Sequence, residues 1–275
     1  MWQVYTVGTQ NYLYTPLRRI LVDGGPGKDQ ARKLKQTVGT IEVIFLTHAH
    51  ADHYGGVPYL LKAFPSLQLF LHPQEIPFLH NPIFEPALLF GGLPPRALCH
   101  PFLLGPSNLP FQEIDPTRFP DIEFVPLPGH PPGLFGIAMG DTLFAADALF
   151  GLEIVKKYPI LYHFDPEEAL RTLDTVEERF TTFIPSHGSL SGKELLRANR
   201  ETIERTLETI LVTIASGKRS LEEILKATMT TLTAVNSLDH YFLNRSALLG
   251  YVSTLEKRGE LVLQVENSEV LIQKR

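Results

Sequence analysis

Six consecutive residues, His48-Ala49-His50-Ala51-Asp52-His53, constrain this chain more than any other feature. They follow Ile41-Glu42-Val43-Ile44-Phe45-Leu46-Thr47, a nearly all-apolar, β-branched run that reads as a strand buried on both faces. Imidazoles and a carboxylate crowded at the end of a buried strand are costly unless something binds them. A loop leaving such a strand fans alternate side chains toward different points. His48 and His50 can then reach one cation while Asp52 and His53 face a second. Neutral imidazole and carboxylate are the ligands that a borderline ion such as Zn²⁺ takes. The competing explanation is a polar loop of solvated histidines.

Two cations need more ligands than one loop supplies. Candidates stand at other strand ends. His130 lies in Pro128-Gly129-His130-Pro131-Pro132-Gly133, after an expected strand at 122–127. Asp147 is expected to end the strand 142–146, and His187 follows the strand 182–184 in Pro185-Ser186-His187-Gly188. Strand ends of an α/β sheet converge on one edge, where such sites form. Taken singly, each of these residues reads as structural.

The surrounding pattern supplies a layered α/β scaffold. Short β-rich runs at 4–7, 11–14 and 19–22 precede a helix at 29–37, the strand 41–47, a helix at 55–64 and a strand at 67–71. Residues 73–120 hold eleven of the 22 prolines, so regular structure there must be short. The segment is too apolar for a disordered linker, with Phe78, Phe84, Leu88, Leu89, Phe90, Phe102 and Leu103. An ordered insertion packed over the site mouth is expected. Strands at 122–127, 134–139 and 142–146 follow, then a helix at 166–180 with Asp165 as N-cap and Pro166 at its first position. Beyond residue 190, helices at 193–215, 221–226 and 245–258 lead into a hairpin at 260–272, a winged-helix-like order. The expected division is 1–190 and 191–275.

Composition removes several classes. The net charge of −5 gives no electrostatic footprint for nucleic acid, and residues 190–275 carry 12 Lys and Arg against 11 Asp and Glu. No run of apolar residues is long enough to span a membrane. The N-terminus shows no signal-peptide pattern, and a single cysteine, Cys99, precludes an internal disulfide. A cytoplasmic protein with a small-molecule substrate is expected, and a homodimer is the candidate assembly.

His48-Ala49-His50-Ala51-Asp52-His53-Tyr54-Gly55-Gly56, Pro128-Gly129-His130, Gly140-Asp141-Thr142-Leu143-Phe144-Ala145-Ala146-Asp147 and Pro185-Ser186-His187-Gly188 resemble the successive motifs of the metallo-β-lactamase-fold hydrolase superfamily. Ile20-Leu21-Val22-Asp23-Gly24-Gly25 resembles its early strand-turn motif, and the C-terminal part looks like the tail of a glyoxalase II-like and lactamase-B2-like subgroup. The resemblance implies a four-layer αββα sandwich with a C-terminal helical, winged-helix-like extension. It implies a first metal on His48, His50 and His130, a second on Asp52, His53 and His187, a bridging Asp147, and Asp23 supporting the ligand loop. The implied cofactor is a pair of divalent ions: zinc first, iron or manganese otherwise. The implied activity is hydrolysis of an ester, thioester or lactone carbonyl by a metal-bridging hydroxide, with Asp52 also serving as a proton carrier. The rivals are a phosphodiesterase or nuclease of the same fold, a mono-iron persulfide dioxygenase, and a non-enzymatic scaffold. One departure is Ala145-Ala146-Asp147 where the family often has Thr-Gly-Asp; another is Asp147 itself, where secreted zinc β-lactamases carry cysteine.

His72, His80, His100 and His163 have no evident partners and are expected at the surface or behind the ligands. Phe84, Phe90, Phe102, His240 and Tyr241 are candidates for the walls of an apolar pocket.

Overall fold

Alternation along the central strands decides the layering. The computed structural model describes residues 1–275. Its first half contains β1 (Gln3–Val7), β2 (Gln10–Thr15), β3 (Ile20–Val22), α1 (Lys28–Val38), β4 (Val43–Leu46), α2 (Ala51–Tyr54), α3 (Val57–Ala63) and β5 (Gln68–Leu71). Ile44 and Leu46 of β4, and Leu69 and Leu71 of β5, point to one side, where Ala31 and Leu34 of α1 and Val57 and Leu60 of α3 cover them. Phe45 and Phe70 point to the other side, into a second core. Both faces are therefore buried, which explains why β4 reads as an unbroken apolar run.

The insertion folds into α4 (Ile76–His80), α5 (Phe84–Phe90) and β6 (Phe111–Glu113), joined by short turns. Its prolines permit nothing longer. Next come β7 (Glu123–Pro126), β8 (Phe135–Met139), β9 (Thr142–Phe150), α6 (Leu152–Lys157), α7 (Pro166–Arg179) and β10 (Thr182–His187). Strand order is β6-β5-β4-β3-β2-β10-β9-β8-β7, with β1 on β2. In the strand ladder the β1–β6 half meets the β7–β10 half at a single residue pair, His187 and Gln10. They fold face to face around Phe45, whose ring meets Phe119 at 4.8 Å and Phe124 at 5.1 Å, both edge-on. Such pairs add about 0.5–1.5 kcal/mol each beyond the area they bury. Helices α1 and α3 cover one outer face, and α7 and its neighbours the other, completing the αββα sandwich.

The C-terminal part runs α8 (Lys193–Ile214), β11 (Arg219–Ser220), α9 (Leu221–Thr231), α10 (Leu238–Lys257), β12 (Leu261–Glu266) and β13 (Glu269–Lys274). β11 pairs with β13, which pairs with β12, all antiparallel. One apolar core runs continuously from Leu13 and Phe45 through Phe144 and Leu173 to Leu248 and Ile272, so this part packs directly on the second half-sheet.

Several boundaries depart from expectation. α9 extends to Thr231 and α10 begins at Leu238 instead of 245. α9 is held at its start by a capping box, with Ser220 and Glu223 each satisfying the other's backbone N–H. β9 continues to Phe150, so Asp147 lies inside a strand and not at its end. Ala146 allows this by adopting a left-handed φ of 47°, opposite a register shift between Ile184 and Pro185 in β10. A Gly at this position would take that conformation without a Cβ penalty. β10 likewise runs to His187 itself.

Candidate metal centre

The loop after β4 is fixed from below by Asp23, at the end of β3. Asp23 is itself left-handed, at φ 63°, a region that Asp tolerates better than most side chains. Its carboxylate accepts the backbone N–H of Thr47 at 2.9 Å, the Thr47 hydroxyl at 3.0 Å and Nδ1–H of His53 at 2.9 Å. Because the Thr47 proton goes to Asp23, Thr47 Oγ1 is left to accept from His48 Nδ1, 3.0 Å away. The tautomers follow. His48 and His53 carry their protons on Nδ1 and turn bare Nε2 atoms toward the cluster. His130 does the same, donating Nδ1–H to the Tyr162 carbonyl at 2.8 Å.

These bare atoms meet. His48 Nε2 and His130 Nε2 each lie 3.0 Å from His50 Nδ1. One proton on His50 could satisfy one of the two contacts and never both. Burial, then neighbouring imidazoles, push the pKa of His48 well down. Burial brings His50 to about 4 and His130 to about 3, so none of the three is an imidazolium at neutral pH. Lone pairs directed at a common point call for a cation, and these three can hold one together.

A second convergence lies beside it. His187 Nε2 is 3.1 Å from Asp52 Oδ2 and 3.4 Å from Asp147 Oδ2; His53 Nε2 is 3.4 Å from Asp147 Oδ1. Asp147 Oδ2 is also 3.7 Å from His130 Nε2, which places this carboxylate between the two groups. Burial opposes charge at His53, yet the carboxylates of Asp147, Asp52 and Asp23 hold its pKa well above the usual value. His187 is raised against burial by Asp147 and Asp52. Asp147 is held well below the carboxylate range, against burial, by His187 and His53. Asp52 is lowered in the same way by His53 and His187. His53 Nε2 and Asp147 Oδ1 are both buried and have no hydrogen-bond partner. Unpaired buried polar atoms of this kind need an explanation, and a divalent ion supplies one for both. The residues present fit a metal pair.

All seven expected ligands and Asp23 are thus brought to one place. Of the four histidines expected at the surface or behind the ligands, His163 lies behind: it is 1% exposed, its ring is 6.0 Å from that of His130, and neither nitrogen has a partner. Burial lowers its pKa to about 3. His72 caps the turn at Gln74, His80 packs edge-on against Phe111, and His100 stacks on Phe102.

Two acids escape a reading of the sequence. Glu75, 2% exposed, accepts the N–H of Ala49 at 3.2 Å and of Gly133 at 2.9 Å, joining the loop of His48 and His50 to the loop of His130. Glu85 accepts the N–H of Ala51 at 3.0 Å. Burial raises the pKa of both. Both come from the Pro-rich insertion, which is therefore part of the site's support and not only its cover. The remaining signal was one of composition alone: lone acids in an apolar stretch.

The cluster opens on a cavity of about 840 Å³ lined by His50, Asp52, His130, Asp147 and His187 at its floor. Phe102 and His240 reach it, as expected; Phe84, Phe90 and Tyr241 do not. Phe90 packs on Phe242 of α10, and the Tyr241 hydroxyl donates to Glu222 of α9.

The chain is similar to several known proteins. An Aspergillus fumigatus atrochrysone carboxyl ACP thioesterase is 36% identical over 72 residues, 24% of this chain and 23% of that protein. A hydroxyacylglutathione hydrolase of Vibrio parahaemolyticus is 38% identical over 101 residues, 34% of this chain and 40% of that one. This chain therefore matches less than half the length of these curated relatives. In three dimensions, a beta-lactamase domain protein from Burkholderia ambifaria superposes with a TM-score of 0.69 at 15% identity, over 100% of this chain and 86% of that one. A family model matches residues 6–187, from β1 through His187, and by that match the chain belongs to the metallo-beta-lactamase superfamily.

Proposed function

We propose that the protein is a dinuclear metal-dependent hydrolase acting on an ester, thioester or lactone. The observation that carries this reading is the cluster of seven ligand-type side chains, five of which (His50, Asp52, His130, Asp147 and His187) form the floor of a cavity of small-molecule size. His48, His50 and His130 would hold one divalent ion, Asp52, His53 and His187 the other, with Asp147 shared. When bound, such ions lower the pKa of water toward neutrality and polarise a carbonyl oxygen. Zinc is the first choice for this nitrogen and oxygen set, with iron and manganese as the other candidates.

The chain's own residues do the rest. Asp23, through Thr47 and His53, fixes the tautomers that leave Nε2 free. Glu75 ties two ligand loops into one rigid frame. Asp52 reaches the cavity and sits 3.1 Å from His187, so its carboxylate can take a proton and pass it to a departing group. The names of the two sequence relatives, a thioesterase and a hydroxyacylglutathione hydrolase, favour a thioester among the three carbonyl classes.

The test is a panel of thioesters, lactones, aryl esters and bis(p-nitrophenyl) phosphate, offered to zinc-, iron- and manganese-loaded protein. Metal-dependent turnover of a carbonyl substrate is expected. Turnover of the phosphodiester alone would transfer the site to phosphoryl chemistry.

A further inference from the structure

Away from its metal-ligand floor, the cavity is walled chiefly by apolar side chains. The insertion contributes Leu88, Leu89 and Phe102, the segment after β9 contributes Ile160 and Phe164, and α10 contributes Leu243. These walls are braced against each other. Leu89 belongs to a small buried cluster on which Leu243 and Phe242 pack, and Phe90 meets Phe242 at 5.3 Å.

Three of the wall residues are incompletely covered: Leu88 is 52% exposed, Phe102 44% and Phe164 57%. Large apolar side chains gathered around one opening, and not scattered over the surface, mark a surface that an apolar ligand covers. Charge points the same way. The single lysine or arginine on the lining is Lys157. Of the acids outside the ligand cluster, Glu75 and Glu85 are engaged with backbone N–H groups of the ligand loops, and Asp239 accepts from the Ser237 hydroxyl. The other polar side chains on the lining, among them Gln10, Gln30, Gln74, His240 and Asn244, are not fixed charges, which leaves Lys157 as the one unengaged ion.

We propose that the substrate carries an extended apolar chain, seated between the insertion and α10, with its scissile carbonyl over the His50–Asp52 floor. This rests on the hydrolase reading above and specifies its substrate class. The chain can be attached on the acyl side or on the leaving-group side, and the two are separable by experiment.

Metal-loaded protein is assayed with two series. One runs from acetyl to dodecanoyl thioesters of a single small thiol; the other is acetyl thioesters of thiols from ethyl to dodecyl. In one series kcat/KM rises about two- to fourfold per added methylene until the cavity is filled, as expected for burial of apolar surface. Leu88→Asp and Phe102→Asp replace half-exposed residues, so the fold tolerates them. Each lowers the long-to-short ratio of kcat/KM at least tenfold in that series. If both series are flat or fall with length while the acetyl members are still hydrolysed, the apolar-chain proposal is overturned and the hydrolase reading stands. If the ratio rises with length but neither variant changes it, the chain lies elsewhere and the proposal is likewise overturned. If no member of either series is hydrolysed, the thioester reading falls and the apolar-chain proposal falls with it, while the ester and lactone members of the panel above decide whether the hydrolase reading stands.

Discussion

His53 donates Nδ1–H to Asp23 Oδ2 at 2.9 Å, and the same carboxylate receives the Thr47 hydroxyl that orients His48. One residue at the end of β3 thus sets the tautomer of a histidine in each of the two clusters.

Replacing it should therefore affect both ions. In Asp23→Asn the left-handed backbone is still tolerated, but one side-chain oxygen becomes a donor facing donors. Metal affinity should fall about 10–100-fold, the usual effect of losing a group that orients a ligand. Stability should fall by about 1–3 kcal/mol. Competition with a chelator and thermal unfolding measure the two quantities; an unchanged affinity would remove Asp23 from this role.

Glu75 contacts no ligand side chain, yet it should matter to all of them. Glu75→Ala strands the buried N–H groups of Ala49 and Gly133, at about 1–3 kcal/mol each. Glu75→Gln retains one acceptor and should recover part of the loss. Thermal unfolding and metal content should move together across the two variants. A destabilised Glu75→Ala that keeps full metal content would mean that the two loops do not depend on this link.

Glycines after the ligand loop set how closely it packs. A Cβ on Gly55 would stand 2.2 Å from the Pro26 carbonyl oxygen, a backbone atom that cannot swing aside. Gly55→Ala should cost about 1–3 kcal/mol or more. Gly92 in the insertion has nothing within 4 Å of such an atom, so Gly92→Ala should stay within about 0.5 kcal/mol of the parent. Chemical denaturation of both variants makes the comparison.

Acid should remove the two ions in sequence. Metal binding competes with protons for the same nitrogens. Burial keeps His50 at about 4 and His130 at about 3, so protons challenge that group only when the pH falls to about 4. His53 and His187 are displaced upward, against burial, by Asp147 and Asp52, so protons compete for them already near neutrality. His187→Ala, which leaves the His48–His50–His130 group intact, should keep its metal to lower pH than His130→Ala. Elemental analysis after dialysis at stepped pH shows which variant loses metal first; the reverse order contradicts the assignment.

The candidate site was largely legible in the sequence because its residues are costly where they stand. Imidazoles and carboxylates at the ends of apolar strands have little purpose other than to bind something, and β4 announced its burial through Val43, Ile44, Phe45 and Leu46. Support from long range was not legible. Glu75 acts on Ala49, 26 residues away, and on Gly133, 58 away, and no local pattern encodes either partner. For His163 the choice between the surface and a place behind the ligands was not legible, because nothing in Tyr162-His163-Phe164 shows that it lies beneath His130. The edge strand β6 was hidden by its brevity, its polar Gln112 and Glu113, and the prolines around it. β9 was cut short because the kink at Ala146 depends on pairing with β10.

The most direct measurement is the number of metal ions bound per chain after zinc loading and removal of excess metal. Two ions per chain are predicted for the native protein. Asp147→Ala, which removes the carboxylate lying between both groups, should retain at most one. A native protein that binds none, or an Asp147→Ala variant that binds two with undiminished affinity, would contradict the account.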